Sequence, residues 1–424
     1  MATHFPADPA PRLHGNTDGA SRRTLADDEA AEVRAAIARC HDLLSDRGDV
    51  PGARLANDVF ASYETLDPAA RAAFFDALVL EAPRDELFLR LNAAHGGTRV
   101  LVHMREHLLQ GLGDHRSWAV VEADLAHVLK SIFNRGLLEF RQIDWDTPAP
   151  VLEKLIEHEA VHAIHDWREM RRRLEADRRC YAFFHPAWTD EPLIFTEVAL
   201  TRGMSTKVRP ILDPDSPVLD TDACDSAVFY SITNCQPGLR GFSFGNPLIG
   251  RVVDELRAQL PRLRTFATLS PIPGFRPWLS SLVHSLENPS WVAALLAKVN
   301  AADWSEDATV SAELEHELLP LCAHYLLHAK HGAEPADPVA RFHLANGARL
   351  RRVNWLGDVS RAGMDRSVGV TANYVYYPTN LERNSQTYGR EHKINTTGRL
   401  ERLSRQAAAW CGPTAPARVL PISA

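Results

Sequence analysis

The hydrophobic pattern of this chain changes period once, after Asn134-Arg135-Gly136, and a chain patterned in this way has to build two kinds of core. Before that point the apolar residues recur at helical spacing. The run TLADDEAAEVRAAIARCHDLL, from Thr24, opens with a capping residue and carries acids in its first turn. Pro51, Asp67-Pro68 and Ser117 open similar runs, PGARLANDVFASYETL, DPAARAAFFDALVL and SWAVVEADLAHVLKSIF. After the change, LLEFRQIDW, CYAFFH, LIFTEVAL, AVFYSI, TFATL and VTANYVYY read as strands. Helical runs such as LIGRVVDELRAQL and AELEHELLPLCAHYLLHAK lie between them. The expectation is a loose tail over 1–24, an all-α helical bundle over 25–135 and a second domain over 136–424 that is α/β or α+β.

Composition narrows the class. A chain of 424 residues exceeds what one hydrophobic core usually organises, and 45% hydrophobic with 24% charged residues is a globular balance. The net charge is −7 and no long Lys/Arg run interrupts the mixed pattern, which argues against nucleic acid or an anionic membrane as partner. No apolar run approaches the ~18 residues that a membrane span needs. An anionic substrate therefore requires a local basic site. The six cysteines (Cys40, Cys180, Cys224, Cys235, Cys322, Cys411) are irregularly spaced, contain no CxxC pair and follow no secretory signal, so they read as free thiols of a reducing compartment. Only six of the 47 basic residues are Lys, and Ala is abundant, which points to a GC-rich bacterial genome and the cytoplasm.

Two motifs invite sharper readings. His158-Glu159-Ala160-Val161-His162 matches HExxH, which on a helix sets two zinc-ligating histidines on one face beside a general-base Glu. A third ligand in a recognisable pattern is missing, and Glu169 and Glu175 stand without one. Gly241-Phe242-Ser243-Phe244-Gly245 matches GxSxG, the nucleophile elbow of α/β-hydrolases, with Asp337 and His343 following in a permissible order. An elbow needs a strand running straight into the turn, whereas Pro237 and Gly238 intervene here. The same residues, Arg240 to Asn246, also suit an anion cradle before the helix PLIGRVVDELRAQL, whose Pro247 fits a first helical position. A plain connecting loop remains the bland alternative.

The stretch NCQPGLRGFSFGNPLIGRVVDELRAQLPRLRTFATLSPIPGFRPWL resembles the malonyl-CoA decarboxylase family, in which the LSPxPGF segment is distinctive. FNRGLLEF, VLEKLIEHEAVHAI, RRCYAFFHP, DEPLIFTEVALT, VFYSI, DPVARFHLANGARLRRVNW and VGVTANYVYY also look like family segments, so the resemblance covers about residues 30 to 410. It implies an α+β chain: a helical oligomerisation domain followed by an acetyltransferase-like mixed-sheet catalytic domain. By resemblance the catalytic pair is Ser270 of LSPIPGF and His343 of FHLANGA. The malonyl-CoA loop is Arg240, Gly241, Phe242, Ser243, Phe244, Gly245 and Asn246, with Ser243 standing where acetyltransferase pyrophosphate loops carry their first Gly. The resemblance also makes HExxH incidental, leaving His158 and Glu159 as ordinary helix residues.

The implied reaction turns malonyl-CoA into acetyl-CoA and CO2 with no metal and no cofactor, because the thioester carbonyl accepts the charge left by CO2. The site must stabilise an enolate and then protonate its carbon. Ser270 alone is a poor acid or base near neutral pH, whereas a hydrogen-bonded His343 with the ordinary imidazole pKa near 6.5 can exchange protons with it. Without the resemblance, Ser270 capping a turn before Pro271 and His343 satisfied inside a helix explain the same residues. Arg251, Arg262 and Arg264 join Arg240 as candidates for the CoA phosphates, with Arg240 alone in the loop. The partners implied are malonyl-CoA and further copies of the chain in a homo-oligomer. An acyltransferase on the same fold and a non-catalytic CoA-binding regulator are the rival readings.

Overall fold

The structure, a computed structural model, describes residues 18–45, 52–285 and 290–411. Two compact units form. The first contains α1 (Asp18–Ser45), α2 (Gly52–Thr65), α3 (Pro68–Leu80), α4 (Arg84–Asn92), α5 (Gly97–Gly111) and α6 (Ala119–Ile132), and it takes in the later segment Pro237–Arg240. The first 17 residues of the expected tail lie outside the described residues, and residues 18–24 are helical, consistent with the helix formers Ala20, Arg22 and Arg23.

Aromatic packing organises this unit. Tyr63 lies 5.4 Å from Phe74, and Phe75 lies 5.1 Å from Trp118, centroid to centroid. Asp67 caps α3 by accepting the Ala70 N–H, and Pro68 occupies the first turn. α6 starts at Ala119 rather than Ser117, because the buried Trp118, donating to Asp76 at 2.8 Å, ends a 3₁₀ turn there. Arg105 on α5 fastens the segment Pro237–Arg240, donating to the Gly238 and Arg240 carbonyls at 2.6 and 3.0 Å while Glu122 holds its other edge at 2.7 Å.

The second unit is built on a seven-stranded mixed sheet. Its strands are β1 (Glu139–Ile143), β2 (Arg178–Phe184), β3 (Ile194–Thr201), β4 (Ser226–Asn234), β5 (Thr265–Thr268), β8 (Arg349–Asn354) and β9 (Thr371–Tyr376), in the order β1-β2-β3-β4-β5-β9-β8. All neighbours are antiparallel except β4 and β5. Between them come β6 (Lys330–His331) and β7 (Glu334–Pro335), a small separate hairpin. A helical bundle followed by a mixed sheet is the α+β arrangement that the resemblance implies.

Every run expected to be a strand contains one. β8, RLRRVN, escaped the reading because an irregularity between Leu350 and Arg352 breaks its alternation. The helices of this unit are α7 (Ala149–His158), α8 (Trp167–Arg173), α9 (Arg209–Leu212), α10 (Gly245–Gln259), α11 (Phe275–Ser285), α12 (Ser290–Asn300), α13 (Ala308–His328), α14 (Pro338–Ala345), α15 (Arg361–Ser367), α16 (Leu381–Glu391) and α17 (Gly398–Cys411). Among the described residues, no helix is long and apolar enough to cross a membrane. Cys40, Cys180, Cys224, Cys235 and Cys322 are buried free thiols, while the Cys411 side chain lies outside the described residues.

α7 packs Val151, Leu152 and Leu155 into one buried cluster with Cys180, Ala182, Phe184 and Phe195 of β2 and β3. Removing a fully buried leucine from such a cluster costs its transfer energy and leaves a cavity. Leu155→Ala is expected to destabilise the sheet unit by about 3 kcal/mol, read from the denaturant midpoint. A shift near zero would show that α7 does not anchor here.

Candidate active site

β4 and β5 run side by side only from Ser226↔Thr265 to Phe229↔Thr268. The Leu269 N–H still reaches the Phe229 carbonyl at 2.9 Å, but at Ser270 the chain changes partner. The Ser270 N–H donates to Ala372 of β9 at 2.8 Å, and the Ala372 N–H returns to Ser270 at 2.9 Å. β4 continues to Asn234 with no β5 beside it. A pocket of about 180 Å³ opens where the parallel strands part, between the end of β4, Ser270-Pro271 and the α14 residues Pro338, Val339, Phe342 and His343. Parallel strands expose a crevice at their carboxyl ends by the same geometry in open α/β sheets.

Ser270 and His343, 73 residues apart in the chain, meet here. Ser270 Oγ stands 2.9 Å from His343 Nε2, and His343 Nδ1 stands 2.7 Å from the Tyr376 hydroxyl. On its other side Ser270 Oγ donates to Thr268 Oγ1 at 2.8 Å, and that oxygen also accepts the Tyr374 N–H at 3.1 Å. The Tyr374 ring stacks on the imidazole with centroids 4.7 Å apart. Ser270 is 5% exposed and His343 4%, so this relay of hydroxyl, imidazole and phenol is nearly dry. Burial lowers the His343 pKa from the ordinary 6.5 to about 3, leaving a neutral imidazole with one donor and one acceptor nitrogen.

α14 carries His343 and is anchored by Asp337, whose carboxylate accepts the N–H groups of Val339 at 3.0 Å and Ala340 at 2.9 Å. Its second oxygen accepts the Gly274 N–H at 3.2 Å, which ties the SPIPGF turn to the histidine helix. Burial pushes the Asp337 carboxyl up to about 6. This aspartate makes no bond to His343, so the triad that the GxSxG reading requires does not form.

Ser243 is exposed, β4 ends well before the motif, and the imidazole is bonded to Ser270 instead. The loop leads into α10, which begins at Gly245, two residues earlier than Pro247 led us to expect. Gly241 has φ +89°, a conformation that favours glycine. Gly245 lies so close to α14 that a Cβ would stand 2.5 Å from the Phe342 ring and 3.0 Å from Asn346 Nδ2. Arg240 is exposed. Arg251 lies over the Phe140 ring at 5.4 Å and Arg262 donates to the Asp222 carbonyl at 2.7 Å, so both have structural partners.

The HExxH residues do not share a helix face. α7 ends at His158, and Glu159 is its C-cap residue, so the expectation of ordinary helix residues is corrected for Glu159. His158 Nε2 pairs with Glu191 at 2.6 Å. Among the described residues, no three His, Cys, Asp or Glu side chains are grouped to hold a metal ion. Sequence reasoning missed Tyr376, Tyr374 and Thr268. The period of two in VTANYVYY puts Tyr374 and Tyr376 on one face of β9, and that alternation was the available signal.

Comparison with known proteins accords with this architecture. Residues 136–411 match the family described as Malonyl-CoA decarboxylase C-terminal domain, and residues 55–133 match Malonyl-CoA decarboxylase N-terminal domain. The mitochondrial malonyl-CoA decarboxylase of Anser anser anser is 36% identical over 335 residues, which cover 72% of this chain and 66% of that protein. The mitochondrial enzyme of Rattus norvegicus is 34% identical over 351 residues, 76% of this chain and 70% of that protein. The crystal structure of malonyl-CoA decarboxylase from Rhodopseudomonas palustris superposes with a TM-score of 0.81 at 40% identity, covering 87% of this chain and 99% of that one. These relatives are decarboxylases by name, that is, carboxy-lyases. The chain belongs to the malonyl-CoA decarboxylase family.

The buried imidazole carries a testable pH signature. An unfolded chain protonates His343 near pH 6.5 while the folded chain resists to about 3, so this residue favours folding above pH 6.5, and the advantage is lost as pH falls from 6.5 towards 3. Imidazole ¹⁵N spectra of the folded protein should therefore show neutral His343 down to pH 5. Protonation with a midpoint near 6.5 would contradict a dry site.

Proposed function

We propose that this protein converts malonyl-CoA to acetyl-CoA and CO2, with Ser270 and His343 at the reacting carbon. The observation that carries the reading is the 2.9 Å contact of the buried Ser270 Oγ with His343 Nε2 at the pocket between the end of β4, Ser270-Pro271 and α14. The C–C bond to the carboxylate breaks, its electron pair moves through the α-carbon onto the thioester oxygen, and CO2 leaves. The resulting enolate takes a proton at carbon from the Ser270–His343 pair, and solvent resupplies it. Burial strengthens the hydrogen bonds that receive the enolate charge, and Phe229, Pro271 and Phe342 supply the apolar walls.

Tyr376 and Tyr374 hold the imidazole in place, the first by hydrogen bond and the second by stacking, so that Nε2 faces Ser270. The loop Arg240, Gly241, Phe242, Ser243, Phe244, Gly245 and Asn246 takes the CoA pyrophosphate through the first-turn N–H groups of α10 and the exposed Arg240 guanidinium. No metal or cofactor enters this reaction. Within the same reading the helical unit makes the contacts of a homo-oligomer and the protein works in the cytoplasm, whereas the two curated relatives are named mitochondrial.

Release of CO2 from malonyl-CoA with no added acceptor tests the reading, and its absence overturns it. Ser270→Ala and His343→Ala should each lower kcat by on the order of 10²-fold or more. The double variant should be little worse than the poorer single one, because either loss disables the pair. Ser243→Ala should be much milder. Near-normal turnover by folded Ser270→Ala and His343→Ala proteins would remove the pair from the mechanism. Arg240→Ala should raise KM for malonyl-CoA far more than it lowers kcat, since phosphate contacts lie away from the breaking bond. An unchanged KM would take Arg240 out of the CoA site.

A further inference from the structure

The pocket contains a second serine whose proton is already committed. Ser231, on the free end of β4, donates to the two carboxylate oxygens of Glu159 at 2.9 and 2.7 Å. Glu159 cannot swing away, because the turn that ends α7 points the Val161 and His162 N–H groups at the same carboxylate, at 2.8 and 2.9 Å. Thr233 Oγ1 closes the cluster, 3.3 Å from Ser231 Oγ and 3.5 Å from Glu159. Ser231 is 2% exposed and Glu159 7%, so water does not compete for these bonds.

A hydroxyl has one proton and two lone pairs. With the proton held by Glu159, Ser231 offers the pocket lone pairs only. Along this wall it is joined by the apolar Val161, Phe229 and Ile232 and by Tyr230, whose hydroxyl is directed at Glu197 on β3, so the remaining polar side chains of the lining are Ser270, His343 and, on the exposed rim, Asn234. A malonyl group entering the pocket carries two oxygen-rich ends. The thioester end meets Ser270, whose proton rests on the neutral Thr268 hydroxyl and can turn to a substrate oxygen, whereas a carboxylate against β4 meets a serine whose proton is held by a carboxylate and finds no free side-chain donor.

We propose that Ser231 and Glu159 form a wall without free side-chain donors against the substrate carboxylate, withholding the serine hydrogen bond from the charge that must leave as CO2. The inference rests on the decarboxylase reading and deepens it. An unsatisfied carboxylate is raised in energy in the bound substrate, and the penalty is relieved as its charge moves to the enolate beside Ser270. Glu159 acts through Ser231 and is a positioning residue. Its bonds to Val161 and His162 set the direction of a proton that it never transfers. HExxH thus contributes its glutamate to the site without binding a metal.

Glu159→Gln tests this. The amide oxygen can still accept from Val161 and His162, but the amide N–H₂ now donates to Ser231 Oγ and turns the serine proton into the pocket. KM for malonyl-CoA should fall by about tenfold, the scale of one hydrogen bond to a charged group, while kcat also falls. The inhibition constant of acetyl-CoA, which has no carboxylate, should change by less than about twofold, the scale of a surface change. Adding Ser231→Ala to Glu159→Gln should abolish the tighter KM, because the new donor is the serine hydroxyl.

An unchanged or raised malonyl-CoA KM in a folded Glu159→Gln protein, or an equal change in acetyl-CoA affinity, would overturn the proposal in favour of a structural role. Should Glu159→Gln fail to fold, Ser231→Ala alone decides. A rise in malonyl-CoA KM relative to the acetyl-CoA inhibition constant would mean that Ser231 binds the carboxylate, against the proposal, whereas no rise supports a wall without donors. Wild-type protein that releases no CO2 is a different failure, that of the decarboxylase reading itself.

Discussion

The change of partner at Ser270 is the contact on which the rest of the site depends. One residue earlier the chain is still bonded to β4, and at Ser270 it is bonded to β9. A regular parallel ladder would have carried β5 along β4 and filled the crevice with backbone. Because the ladder stops at Thr268, the last residues of β4 are left with one open edge, and unpaired backbone beside a buried crevice is tolerated when a ligand or side chains occupy it. His343, Phe342 and Pro338 of α14 cover part of that opening.

Two carboxylates set the geometry around the opening from different sides. Asp337 joins the start of α14 to the turn after Ser270, so the two members of the pair move as one body despite the long chain between them. Glu159 joins the end of α7 to Ser231 on β4. Each carboxylate is buried among donors that include at least two backbone N–H groups. This arrangement stabilises a buried acid and makes the turn it caps rigid. A third acid, Glu197 on β3, has Arg173 Nε at 3.2 Å, and burial pushes its carboxyl up to about 8.

Much of this was legible in the sequence. The strands of the second unit are short runs of β-branched and aromatic residues, and buried central strands advertise themselves in that way; the edge strand β8, with three arginines in six residues, does not. Asp67-Pro68 gave a true helix start because its signal is local, whereas Ser117 did not, because burial of Trp118 decides where α6 begins. Ser270 and His343 were recognisable through their segments, but their meeting was not, since it depends on pairing between β5 and β9 across about a hundred residues of sequence. The HExxH residues part company for a related reason. A spacing of four implies a shared helix face only if the helix continues, and here α7 ends at His158, within the motif, with Glu159 extended at its C-cap.

The position of β9 bears on how the protein comes into being. This strand lies between β5 and β8 in space, yet among the described residues it is the last strand to be synthesised, and it brings Ala372, Tyr374 and Tyr376 to a serine made about a hundred residues before. On the ribosome, Ser270 and even His343 emerge into a sheet with a missing central strand. Until the chain has passed Tyr376, the serine lacks its backbone partner, the imidazole lacks its phenol, and the apolar faces of β5 and β8 have no neighbour. The helical unit and the β1–β4 meander can fold as they appear, but the catalytic centre can assemble only in a late, long-range step.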